Sequence, residues 1–142
     1  DVKILNLNDY DMPIYSIDKQ NEGFPKSSQE FYKLIKEADG IIISLAEHNL
    51  NFTTAFKNIL DWTSRYNNKL FQEKEMLLMA TSPGARGGKS VLDIATDRFP
   101  RHDAKLVGTF SLPSFNDNFS VELGITNEDL KKELMTIINS IH

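Results

Sequence analysis

Gly40-Ile41-Ile42-Ile43-Ser44-Leu45 is an apolar run too short for a helix and rich in β-branched residues. It shows no alternation of polar and apolar positions, so it reads as a strand buried on both faces, the kind that fills a parallel sheet. Residues 75–80 (EMLLMA) read the same way, and residues 2–7 (VKILNL) and 105–112 (KLVGTFSL) complete a set of four strands. The segments between them change period. Phe31, Leu34, Ile35 and Ala38 recur at helical spacing and predict a helix over 28–37 behind a Ser27/Glu30 capping box. Phe52, Ala55, Phe56, Ile59, Leu60 and Thr63 line one face of a helix over 52–65, and Gly88, Val91, Leu92, Ala95 and Phe99 line another. Leu130, Leu134, Ile137, Ile138 and Ile141 give a last helix with Thr126 and Asp129 as its cap, while residues 8–25, with Pro13, Gly23 and Pro25, read as a loop.

Strand and helix thus alternate along the chain, which is the pattern of an α/β domain with a parallel sheet covered on both faces. At 142 residues the chain supports a single domain, 1–142. In such sheets ligands bind beyond the carboxyl ends of the strands, so residues 46–51 and 81–88 are expected on the functional edge.

Composition narrows the chemistry. A net charge of −4 offers no basic stripe for a phosphate backbone, so a nucleic-acid partner is not expected. There is no cysteine, which removes disulfides and thiolate chemistry, and the three histidines show no metal-ligand spacing. His102, in Arg101-His102-Asp103, reads as a surface loop residue and His142 as a terminal one. No apolar run approaches the roughly 18 residues of a membrane span, so no membrane partner and a cytoplasmic location are expected.

Ser82-Pro83-Gly84-Ala85-Arg86-Gly87-Gly88-Lys89-Ser90 has the look of a phosphate-binding loop. That loop needs a glycine five residues before Gly88, where its backbone N–H groups begin to wrap the phosphates. Pro83 occupies that position, with no N–H and a fixed φ. The strand ends also carry no aspartate suited to magnesium. A planar ligand lying against exposed glycine backbone fits better than a triphosphate.

Two segments together resemble the NADPH-dependent FMN reductase family, flavodoxin-like flavoproteins that include azoreductases and quinone and chromate reductases. That family has Pro-Glu-Tyr-Asn-Gly-Ser after one strand, followed by a helix with Leu-Lys-Asn-Ala-Ile-Asp-Trp. Here Ala46-Glu47-His48-Asn49-Leu50-Asn51 and Phe56-Lys57-Asn58-Ile59-Leu60-Asp61-Trp62 stand in those places. Its Ser-Pro-Gly and Gly-Gly after the next strand are matched by Ser82-Pro83-Gly84 and Gly87-Gly88. The family's proline, tyrosine and glycine of the first loop are replaced by Ala46, His48 and Leu50. The family's first strand, phosphate-gripping loop and helix have no counterpart before residue 2, so the resemblance implies an N-terminally incomplete flavodoxin-like three-layer α/β/α domain with four strands. Because the missing strand is central in the order 2-1-3-4-5, strands 2–7 and 40–45 are expected to face an unfilled gap.

The resemblance implies an FMN-dependent oxidoreductase that takes hydride from NADPH or NADH and passes electrons to flavin, quinone or azo acceptors. An electron carrier or a non-catalytic flavin-binding domain is the alternative. It also implies that Glu47, His48, Asn49 and Leu50 line one edge of the flavin ring and Ser82, Pro83, Gly84, Arg86, Gly87 and Gly88 another. Arg86 is then the available cation for charge developing on the ring. No residue is assigned a catalytic acid–base role, since hydride transfer needs none; Glu47 reads more naturally as a helix cap or backbone acceptor. The resemblance further implies a homodimer or homotetramer with the Trp62 helix as contact surface, and small-molecule substrates.

Overall fold

The computed structural model describes residues 1–141; His142 lies outside them. The chain opens without a strand and makes a short 3-10 turn at Leu7–Asp9. Then follow helices α1 (Ile17–Glu22) and α2 (Lys26–Glu37), strand β1 (Gly40–Leu45), the short strands β2 (Glu47–His48) and β3 (Asn51–Phe52), helix α3 (Thr54–Thr63) and strand β4 (Glu75–Thr81). Helix α4 (Lys89–Arg98), strand β5 (Lys105–Leu112), helix α5 (Phe115–Asn118), strands β6 (Phe119–Ser120) and β7 (Gly124–Ile125), and helix α6 (Glu128–Ile138) complete the chain.

The main sheet is parallel, in the order β1-β4-β5, with Ile41 beside Met76 and Leu77 beside Gly108. Side chains of successive strand residues point to opposite faces, and this separates two cores. Ile41, Leu45, Met76, Leu78 and Ala80 pack with Phe31 and Ile35 of α2, Ile59 and Leu60 of α3, and Val91, Leu92 and Ala95 of α4. On the other face Leu77, Phe110 and Leu112 pack against Leu130, Leu134, Ile137 and Ile138 of α6. The α/β architecture read from the sequence therefore holds, with three helices on one face and α6 on the other.

Several expectations change, and residues 8–25, read as a loop, contain the helix α1 (Ile17–Glu22). Residues 2–7 form no strand, so the main sheet has three strands and not four. Val2 and Ile4 stand 88% and 89% exposed, and only Leu5 and Leu7 lean on the core. A strand-like composition yields a strand only where a neighbour accepts its hydrogen bonds, and among the described residues no strand pairs with this segment. Nor is β1 buried on both faces: it is an edge strand, and Ile42 is 56% exposed because α6 covers β4 and β5 but not β1.

The caps also shift. Pro25 sits at the N-cap of α2, and Ser27, the expected cap, instead donates its hydroxyl to the carbonyl of Asp11. Asn127, one residue past the expected Thr126, caps α6 through Oδ1, which accepts from the N–H groups of Asp129 and Leu130. Among the described residues, no helix is long and apolar enough to cross a membrane.

Candidate functional site

The loop after β1 is a hairpin. Glu47 pairs with Phe52 and His48 with Asn51, which leaves Asn49 and Leu50 as a two-residue turn with φ of 51° and 62°. Positive φ at both positions matches the twist of the flanking strands. Asn49 tolerates that conformation; Leu50 is held in it against the preference of its side chain. The base of the hairpin is firmly fixed. The Phe52 ring lies parallel to Phe99 at 5.9 Å between centroids and also packs on Phe56 at 5.2 Å.

Glu47 ties this hairpin to the next loop. The N-cap of α4 is Gly88, which has no side chain to offer the first turn of the helix. Glu47 Oε2 supplies the missing acceptor, at 2.9 Å from the N–H of Val91, the third residue of α4. A carboxylate there also meets the positive end of the helix dipole. The backbone-acceptor reading of Glu47 is thus what the structure shows.

The glycine loop after β4 divides into a covered half and an open half. Gly87 and Gly88 are buried with φ of 56° and 74°. A β-carbon on Gly87 would run into the Ser111 hydroxyl and come within 2.9 Å of Pro113 N, and one on Gly88 would come within 2.7 Å of the Ala80 Cβ. These two glycines let the start of α4 pack against the ends of β4 and β5. Gly84 is the opposite case: nothing lies within 4 Å of the β-carbon position. Pro83, Gly84, Ala85 and Arg86 are exposed and Ser82 half-buried. The loop is fastened from the far side. Ser114 N donates to Gly84 O at 3.0 Å, Phe115 N to Ser82 O at 3.0 Å, and Ser111 Oγ to Gly87 O at 2.9 Å. Arg86 Nη2 donates to Ser90 Oγ at 2.8 Å, which holds the guanidinium on the exposed rim.

The structure therefore brings Glu47, His48, Asn49 and Leu50 to the same carboxyl edge as residues 82–88, joined by the Glu47–Val91 bond. His48, Asn49 and Leu50 are exposed. The open backbone at Gly84 and the exposed His48, Asn49 and Leu50 leave this edge free of covering side chains, which is what the approach of a planar ring requires. Among the described residues no cluster could hold a metal ion.

Other expectations are revised. Trp62 is fully buried, so it does not itself offer a surface to a partner. Its Nε1 donates to Pro13 O at 2.7 Å, and one turn earlier Asn58 accepts from Tyr15 N at 2.8 Å and donates to Pro13 O at 3.1 Å. The Lys-Asn-x-x-Asp-Trp pattern is a clamp on residues 12–15, which neither residue's type announces alone; the signal is their i,i+4 spacing beside a proline-containing loop. Lys57 and Asp61 do form the expected ion pair, at 2.7 Å, on the outer side of α3. His102 is buried, not on the surface: its Nδ1 is 2.7 Å from Asn68 O, and its ring meets Phe71 edge-on.

Comparison with known proteins agrees with this layout. The family model for NADPH-dependent FMN reductase matches residues 1–117. A quinone reductase of Escherichia coli K12 is 35% identical over 79 residues, 55% of this chain and 42% of that protein. A 2-hydroxy-1,4-benzoquinone reductase of Burkholderia is 29% identical over 143 residues, covering 90% of this chain and 71% of that protein. Among solved structures, FerB from Paracoccus denitrificans, a flavoenzyme NAD(P)H:(acceptor) oxidoreductase, superposes with a TM-score of 0.73 at 20% identity over 92% of this chain and 72% of that one. The chain spans less than half the length of the quinone reductase it matches. With its two signature loops side by side at the carboxyl edge and the family model covering most of its length, the chain belongs to the NADPH-dependent FMN reductase family.

Proposed function

We propose that the carboxyl-edge loops hold the isoalloxazine ring of FMN and that the protein transfers hydride from NADPH or NADH to quinone-type acceptors. The observation that carries this reading is the Glu47–Val91 bond, which fixes the two family loops as one unit. When bound, FMN supplies the hydride-accepting centre. The chain's own residues position it. The open backbone at Gly84 gives a flat face, and the rigid hairpin sets His48, Asn49 and Leu50 against the other edge. Arg86 keeps a positive charge at the rim, where it offsets negative charge gathering on the ring. Gly87 and Gly88 act from beneath, setting the height of the loop above the sheet.

The partner in this reading is a second copy of the chain, docked through the outer faces of α3 and α4. A surface hollow of about 560 Å³ there is rimmed by Lys57, Asp61, Arg65, Asp93, Asp97 and Arg98. Equal numbers of the two signs let the face meet itself about a twofold axis. Light scattering is expected to give a multiple of 16.2 kDa that falls towards the monomer as salt is raised.

The test of the activity is optical. Protein reconstituted with FMN is expected to be yellow and to bleach when NADPH is added without oxygen, then recolour with a quinone. Yellow protein that NADPH leaves unbleached supports the electron-carrier reading instead, and protein that takes up no FMN defeats both.

A further inference from the structure

The tip of the β2–β3 hairpin holds a residue in a conformation its side chain disfavours. The second position of such a turn is ordinarily glycine, because φ is positive there. Leu50 sits at φ 62° instead. The hairpin cannot relax to relieve it. Glu47 is bonded to the start of α4, Phe52 is stacked on Phe99, and Asn51 Oδ1 accepts from Phe52 N at 2.8 Å, so both arms are fixed on either side of the turn. Internal packing does not offset the strain either, since Leu50 is 59% exposed. A large apolar side chain is thus kept both strained and wet, at the edge where the ring is proposed to lie. Strain of this kind gathers at ligand-contacting positions.

We infer that Leu50 is a specificity-determining residue for the electron acceptor: its isobutyl group is an apolar wall against which a planar, quinone-type ring rests. The inference depends on the flavin reading above and adds to it the residue that favours a quinone-type acceptor over a hydrophilic one. The tip is the part of the hairpin farthest from its anchored base, so its side chain meets a molecule that enters and leaves. A hydrophilic acceptor such as ferricyanide gains nothing from that wall.

The experiment compares wild type with Leu50→Gly, Leu50→Asn and Leu50→Met, each reconstituted with FMN and driven by NADPH. The readout is the ratio of kcat/KM for 1,4-naphthoquinone to that for ferricyanide. Glycine and asparagine both suit positive φ and remove the apolar group. Their ratio is expected to fall about tenfold, the factor for withdrawing roughly half a leucine side chain from apolar contact. Methionine keeps the apolar bulk and is expected to stay within about twofold of wild type. A second readout needs no flavin: the glycine variant should melt about 3 °C higher as apoprotein, because the strain is gone.

An unchanged ratio in the glycine and asparagine variants overturns the inference, whatever happens to the melting point. A methionine variant that falls as far as glycine overturns it too, since apolar contact would then not be the cause. Wild-type protein that binds no FMN refutes the flavin reading, and the wall falls with it; that failure shows before any variant is made.

Discussion

Replacing Glu47 with alanine isolates the bond that joins the two loops. Glu47 Oε2 accepts from the N–H of Val91 at 2.9 Å, and the Val91 residue is fully buried. Loss of the carboxylate leaves that donor without its acceptor, in a place water does not readily reach. An orphaned buried donor costs about 1–3 kcal/mol, and losing an N-terminal helix cap costs about 0.5–2 kcal/mol for what is here the same bond, so the two figures overlap and do not add. Because Glu47 is only half-buried, the lower part of the range applies, about 1.5 kcal/mol. For a domain of this size that corresponds to a fall in Tm of roughly 5 °C. Glu47→Gln retains a neutral acceptor oxygen and should lose about half as much, since bonds to charged groups are roughly twice as strong. The assay is thermal unfolding of the apoprotein together with hydrogen exchange at the Val91 amide, which should lose protection in the alanine variant alone. FMN uptake should weaken in parallel, as the hairpin is no longer held to α4. An alanine variant that melts within about 1 °C of wild type with its Val91 amide still protected would refute the claim that this bond couples the loops.

Asn58→Ala removes three hydrogen bonds from a buried side chain and should destabilise by about 2–3 kcal/mol in urea unfolding, and Trp62→Phe, which loses the Pro13 bond and leaves a void in a fully buried site, should cost a similar amount. Gly87→Ala combines positive φ with a collision against Ser111 and Pro113 and should cost more than about 2 kcal/mol, while Gly84→Ala, with open space around it, should leave the melting point of the apoprotein nearly where it was. Burial pushes the Tyr66 phenol above its usual 10.0, partly countered by the Ser28 hydroxyl, and burial with the nearby Asp9 and Glu30 carboxylates raises Tyr10 as well. The folded state then holds those protons more tightly than the unfolded chain, so their contribution is complete below pH 10.0 and is lost as pH rises through the raised folded values. Unfolding followed across that alkaline range should show stability falling with pH, with a shallower fall in Tyr66→Phe.

The sheet was legible because β4 and β5 are runs whose period and length leave little choice, and helices α2, α3, α4 and α6 because their apolar stripes repeat cleanly. What failed depended on partners that sequence does not display. Residues 2–7 have the apolar, β-branched composition of a short strand, yet composition creates no strand without a neighbour to bond. The run at 40–45 has the composition of a central strand, but whether Ile42 is covered is decided by where α6 lies, about ninety residues away in sequence. Ser27 and Thr126 each sit within two residues of the true cap, a margin that local pattern does not resolve. His102 looks polar among Arg101 and Asp103, while its acceptor, the carbonyl of Asn68, is distant in sequence. At the site, the loops were found from their glycines and their Glu47 and Ser82 signatures. The bond from Glu47 to Val91 was not, because no spacing rule links a carboxylate to a helix that starts forty residues later.

The outer edge of β1 has a bearing on how the chain behaves in a crowded solution. Its backbone N–H and C=O groups on that side face no partner strand among the described residues, and Ile42 lies exposed beside them. Such an edge is a template for an extended chain, and no lysine or proline interrupts residues 40–45. Among the described residues the edge is therefore a place where one further strand can add by backbone hydrogen bonds. A lysine in place of Ile42 would discourage such pairing without touching either loop at the carboxyl edge.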